Sequence, residues 1–301
     1  MSNLFLFSGA VIVWGFTWII ISEFQVNTNI DPVLSVAWRM ILSSMIIFMI
    51  LLWKNKKIKF SLQMHLFFLF LGTFLYSLNY VFFYSANVYL ISAIPAVVFS
   101  LMSISNLIGE RLYFKKNILP QTWFGAVIGI VGVVIIFYHD LSNFSLTVKT
   151  HLGLFFAFIA TLSASMGNLI FEYQLRNYKI DLMESMSWSM LYGGLVAFLI
   201  ALVRGSEIAL PITNISYMFG LLYLSIFGTV IAFLFYLNLI KNVGPGRAGY
   251  ISIAMPIFAL CVSFIFEDLK PSINLLIGLP VTLLGLVLIL KQKSPITPTN
   301  A

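Results

Sequence analysis

From Leu66 to Gly109 the chain carries no Lys, Arg, Asp or Glu. The run reads LFFLFLGTFLYSLNYVFFYSANVYLISAIPAVVFSLMSISNLIG. One membrane-spanning helix needs about 20 apolar residues, so this stretch predicts two spans and a tight connection. The break falls at Ser85–Ser92, polar but uncharged. The spans are not purely apolar. Tyr76, Ser77, Asn79, Tyr80 and Tyr84 lie on the first, and Ser100, Ser103, Ser105 and Asn106 on the second. A polar group in hydrocarbon costs several kcal/mol unless it finds a partner. These helices therefore hydrogen-bond to neighbouring helices or line a wet cavity.

Composition extends this reading to the whole chain. Of 301 residues, 60% are hydrophobic and 9% charged, against about 25% charged in soluble domains. This is an all-α, polytopic membrane protein. Its net charge of +7 would suggest nucleic acid in a soluble chain, but here the cations sit in short loops and report topology. The single cysteine, Cys261, excludes an intramolecular disulfide and a cysteine metal site. The three histidines, His65, His139 and His151, are scattered at span ends. With no His-x-x-x-His, Ser-His-Asp set or phosphate loop, no catalytic residue, metal or cofactor is expected. The apolar N-terminus lacks a basic region and a cleavage site, and reads as a retained first span.

Hydropathy gives ten spans, near 4–23, 33–53, 65–84, 91–110, 121–138, 152–171, 183–203, 215–237, 247–266 and 273–290. Alternate loops divide the cations unevenly. Thirteen Lys and Arg fall on one side, among them Lys54, Lys56, Lys57, Lys59, Arg111, Lys115 and Lys116; three fall on the other, Lys149, Arg204 and Lys270. Arg39 is left inside span two. The excess places both termini in the cytoplasm, with a disordered tail at 292–301.

The spans repeat. Glu23 in span one aligns with Glu172 in span six, and Trp38 with Trp188 in spans two and seven. Gly72-Thr73 meets Gly228-Thr229, Glu110 meets Glu267, and Gly125 and Gly132 share their spacing with Gly278 and Gly285. The matches fall in order at nearly constant offset, which predicts two five-helix repeats at 1–139 and 150–291. Because five is odd, the second repeat enters the membrane inverted. Inverted repeats are the signature of alternating-access carriers, with a site near the midplane between the halves.

Several of these residues resemble a family. WGFTW in span one, AWRM around Arg39, Ala93–Pro95 in span four, GERL at Gly109–Leu112 and the Gly125/Gly132 spacing with its repeat copy are similar to the EamA-like carriers of the drug/metabolite transporter superfamily. The resemblance covers both repeats. It implies a multi-pass carrier of a bacterial inner membrane that exports amino acids or other small metabolites. Two positions depart from symmetry: Phe266-Glu267-Asp268 stands where the first repeat has Gly-Glu-Arg, and Ser189 stands opposite Arg39.

The uncharged polar residues are the candidate solute-binding set: Trp14, Thr17 and Trp18 in span one, Asn79, Tyr80 and Tyr84 in span three, Ser165 and Asn168 in span six, and Tyr236 and Asn238 ending span eight. Interhelical hydrogen bonding is the alternative, at about 1 kcal/mol per bond. As a cavity lining they suit a neutral or zwitterionic solute with an apolar or aromatic part. Arg39, about two turns into span two, is a functional candidate by depth alone; pairing with Glu23 at similar height makes it a structural lock. Glu110, Glu172 and Glu267 end helices against the macrodipole and need cationic partners, with Arg111 and Arg176 adjacent in sequence. Pro95 and Pro256, inside spans, are candidate gate hinges or static bends. The GxxxG at Gly125–Gly129 is a close-packing face that seats a neighbouring span rather than a dimer. The expected partners are thus a small solute and the lipid bilayer, without nucleic acid, for a monomer. The competing classes are a lipid-linked or nucleotide-sugar carrier, which calls for more midplane cations than Arg39, and an embedded enzyme or sensor, which calls for a cluster of reactive groups.

Overall fold

A computed structural model of the chain describes residues 1–24, 30–90, 93–136, 138, 148–208, 210, 212–266 and 272–290, and within these some side chains, including those of Trp18 and Glu23, lie outside the description. The described residues form ten helical spans and no strand. α1 is Asn3–Phe24 and α2 is Pro32–Trp53. α3 begins as Leu62–Gly72, widens into a π turn at Thr73–Leu78 and continues as Asn79–Asn87. α4 has two pieces, Ala93–Ser100 and Met102–Tyr113. α5 is Pro120–Ile136, α6 is Val148–Asn177 and α7 is Leu182–Val203. α8 repeats the pattern of α3: Ile215–Ser225, a π turn at Ile226–Ile231, then Ala232–Val243. α9 opens with the single turn Pro245–Ala248 and runs on as Ile251–Phe266; α10 is Ile273–Leu290.

Local chemistry sets the helix ends. Asp31 caps α2, its Oδ1 accepting from Val33 N at 2.8 Å with Pro32 in the first turn. Asp181 caps α7 in the same way at 2.9 Å, and the Glu184 carboxylate reaches back to Asp181 N. Each cap is worth about 1 kcal/mol. The 22 residues of α2 rise about 33 Å at 1.5 Å per residue, enough for a hydrocarbon core of about 30 Å. The outer surface is apolar: Met49, Phe70, Phe124, Phe155, Leu199 and Leu276 are each more than half exposed. Such a belt is stable only against lipid tails.

The two halves interlock in a symmetric pattern. α2 packs along α7 and α5 along α10, each against its own counterpart. α3 meets α6 as α1 meets α8, and α4 meets α6 as α1 meets α9. Glycines bring α5 and α10 together: a Cβ on Gly285 would strike the Gly125 carbonyl and Gly129 N, and one on Gly278 would strike the Gly132 carbonyl. The GxxxG face expected in α5 therefore seats α10. Gly72 and Gly193 do the same for α3 and α7, each facing backbone of the other helix.

Candidate substrate site between the halves

The π turn of α8 creates an unusual acceptor. Ala232 N–H bonds to Phe227 O rather than to Gly228 O, so the Gly228 carbonyl lacks the amide a regular helix would supply at i+4. Two side chains take it instead. Trp14 Nε1 donates to it at 3.0 Å and Arg39 Nη2 at 2.9 Å. Arg39 Nε also donates to Thr229 Oγ1 at 2.7 Å, and that hydroxyl donates to Leu224 O at 2.9 Å across the widened turn. The backbone of Arg39 is fixed too, its carbonyl accepting from Ser43 Oγ and Ser225 Oγ at 2.7 and 3.3 Å. The guanidinium is thus buried, 3% exposed, on a helix defect of the other half. It stacks over the Tyr80 ring, 5.4 Å from its centroid, a cation–π contact. The Tyr84 hydroxyl faces the same group. Among the described residues no carboxylate reaches Arg39.

At the equivalent place in the other half the arrangement differs. Ser189 occupies the position of Arg39, and its carbonyl lies directly against Gly72. Where the π turn of the second half meets a guanidinium from the first, α3 of the first half meets α7 of the second backbone on backbone.

Beyond Arg39 lies an aromatic cluster. Trp14 meets Phe233 and Tyr236 edge-on, each at 5.2 Å, and Tyr76 meets Phe233 at 4.8 Å. Amides follow. Asn168 Nδ2 lies 3.5 Å from Asn106 Oδ1, and Asn106 Nδ2 donates to Pro245 O at 2.9 Å. The Tyr236 hydroxyl is directed at both amides without closing a hydrogen bond. Among the described residues Tyr76 Oη, Asn168 Oδ1 and Tyr236 Oη are buried without a partner. Three such atoms around Phe233 and Tyr236 are costly, at about 1–3 kcal/mol each, unless water or a solute meets them.

Most of the expected residues come together here. Trp14 and Thr17 adjoin Gly228, the Thr17 hydroxyl donating to Trp14 O. Tyr80 and Tyr84 lie next to Arg39 and are half-buried. Asn168 and Tyr236 form the amide end. Asn79 folds back on its own helix, its Oδ1 accepting from Tyr80 N. Asn238 donates to Leu234 O of its own helix at 2.7 Å and stands about 200° around α8 from Tyr236, so it does not share the cluster. Ser165 is buried on α6, one turn from Asn168. The side chains of Trp18 and of Glu23, with its expected pairing to Arg39, lie outside the described residues. α4 breaks at Leu101, well past Pro95, and α9 breaks at Gly249–Tyr250, before Pro256.

Sequence reading left Tyr76, Asn106 and Thr229 off the candidate set. The Gly-Thr pair in both repeats, together with Arg39 standing against Ser189, was the signal available for Thr229.

At the cytoplasmic ends expected for α4, α6 and α8, carboxylates have partners. Glu172 pairs with Arg176 at 2.8 Å, as its neighbour in sequence suggested. Glu110 pairs with Lys116 at 2.6 Å rather than with Arg111, which donates to Asn117. Gly244 and Gly246 fold tightly around the Glu110 carboxylate. Glu267 lies outside the described residues.

Comparison with known proteins places this architecture. A model of the EamA-like transporter family matches residues 1–138 and again 151–291. An uncharacterized transporter of Synechocystis sp. is 30% identical over 196 residues, covering 60% of this chain and 57% of that protein. A protein of solved crystal structure superposes with a TM-score of 0.79 over 95% of this chain and 96% of its own, at 16% identity, which is a likeness of fold. With both of its five-helix halves matched in turn, the chain belongs to the EamA-like transporter family.

Proposed function

We propose that this transporter exports a small neutral or zwitterionic solute, an amino acid or comparable metabolite with an apolar or aromatic part, across a bacterial inner membrane. The two halves, 1–139 and 150–291, are inverted repeats with both termini in the cytoplasm. They rock about the site between them so that it opens to one face at a time. The protein works as a monomer and catalyses no reaction.

The observation that carries this reading is the set of unpartnered buried polar atoms, Tyr76 Oη, Asn168 Oδ1 and Tyr236 Oη, beside the half-buried rings of Trp14, Tyr80 and Tyr84. Purely structural interhelical bonds would leave few such atoms, because an unmet polar group is expensive in a dry core. A solute with hydrogen-bonding ends and a flat or branched body meets both needs. The test is uptake and efflux by the purified protein in proteoliposomes against a panel of amino acids, with Tyr80→Ala and Asn168→Ala alongside. Lost binding at nearly unchanged melting temperature supports a solute site. Lost stability with unchanged solute affinity means the residues are interhelical glue.

A further inference from the structure

Among the described residues the site contains one fixed charge. Arg39 is buried, and every oxygen it touches is neutral: Gly228 O, Thr229 Oγ1 and, facing it, the Tyr84 hydroxyl. Nε and Nη2 are engaged by Thr229 Oγ1 and Gly228 O, and the Tyr84 hydroxyl meets the guanidinium as well. Among the described residues no anion offsets this charge; a buried cation left so costs several kcal/mol, and the Tyr80 ring offsets only a small part of that. The Gly228 carbonyl, which Trp14 also meets, calls for a donor but not for a charge. The other half solves the same helix crossing with Ser189 against Gly72 and no charge at all.

We propose that Arg39 recognises the carboxylate of the transported solute, which is a small zwitterion with a single carboxylate and an apolar or aromatic body; this rests on the carrier reading above. The carboxylate sits against the guanidinium N–H groups that Gly228 and Thr229 leave over, with the Tyr84 hydroxyl as a second donor. The body lies over the Tyr80, Trp14 and Phe233 rings. Gly228, beside Arg39, and Tyr236 are eight residues apart on α8, which at 1.5 Å per residue is about 12 Å. At that far end Asn168 Oδ1 accepts from an amine, amide or hydroxyl of a longer solute. A single guanidinium matches one negative charge, so a phosphate dianion would retain an unmatched charge.

The test compares four probes of like size: 3-phenylpropanoate, phenylalanine, 3-phenylpropanamide and phenethylamine. Binding is read on the intact wild-type protein in nanodiscs by ligand-dependent thermal shift and tryptophan fluorescence. Both carboxylates should bind at least tenfold more tightly than the amide and amine, the ratio expected of a charge-assisted hydrogen bond. In Arg39→Gln that preference should vanish, and in Arg39→Lys it should persist in weakened form. Equal binding of acid and amide by the wild type, no binding of either carboxylate, or an unchanged preference in Arg39→Gln overturns the proposal. The wild-type comparison decides even where Arg39→Gln fails to fold. Transport is measured separately with the same probes. Arg39-dependent carboxylate binding without transport leaves this assignment standing and sinks the carrier reading; transport without carboxylate preference does the reverse.

Discussion

Gly72 and Gly228 stand at matching helix crossings, yet alanine should affect them very differently. At Gly72 a new Cβ would meet the Ser189 carbonyl and, at 2.8 Å, Gly193 N, both backbone atoms of α7. Neither can rotate away, so α3 and α7 must separate along their packed length. Overpacking of this kind costs about 1–3 kcal/mol, and a rigid backbone obstacle puts Gly72→Ala at the top of that range. Replacing a helical glycine returns about 1 kcal/mol of propensity, which leaves a net loss of about 2 kcal/mol. At Gly228 the nearest atoms are Thr17 Cγ2 at 2.8 Å, Arg39 Nη2 at 3.1 Å and Leu224 Cδ2 at 3.4 Å. All are side-chain ends that can shift by a few tenths of an ångström. There the propensity gain roughly cancels the crowding, and net stability changes by less than about 1 kcal/mol. The displaced atom, however, is the Arg39 nitrogen bonded to the Gly228 carbonyl, so solute binding should fall. In detergent, Gly72→Ala should melt about 4 °C or more below wild type and Gly228→Ala within about 2 °C. Equal shifts, or a larger one at Gly228, would refute the distinction between backbone and side-chain contact.

Topology is checked by reporters: one fused after Lys293 should read cytoplasmic and one inserted near Asn143 external, and the swapped pattern would overturn the orientation. Glu110 is buried against Lys116, so Lys116→Gln should lower the melting temperature, while adding Glu110→Gln should recover part of the loss because an unpaired buried carboxylate is the costly state; additive losses would count against the pair. With no carboxylate at mid-span in the sequence, transport of a neutral or zwitterionic solute should survive collapse of the proton gradient; uphill accumulation abolished by a protonophore would point to a helix-end glutamate, Glu23 or Glu172.

The sequence was informative where one physical constraint acts along the chain. Uncharged runs such as Leu66–Gly109 fix where spans lie, since lipid tolerates no alternative. Glycine spacing at Gly125 and Gly278 revealed a close contact because only a missing Cβ permits it. What escaped depends on partners distant in sequence. Arg39 binds groups about 190 residues away, and the carbonyl it uses exists only because α8 carries a π turn, for which no side-chain pattern gives warning. Asn238 was grouped with Tyr236 by proximity in the chain, although two positions along a helix point nearly opposite ways. Lys116 was overlooked as the partner of Glu110 because a turn after α4, rather than helical spacing, brings it back.

The contrast between Arg39 and Ser189 bears on how the protein rests. Two identical inverted halves would make the inward- and outward-facing states mirror images of equal energy, populated alike. A guanidinium tied to one π turn, with no counterpart in the other half, removes that degeneracy. Each 1.4 kcal/mol by which the Arg39 contacts differ between the two states tilts their ratio tenfold. In a carrier that alternates in this way, one side chain is enough to favour one face of the empty protein, to the extent that its contacts differ between the two states.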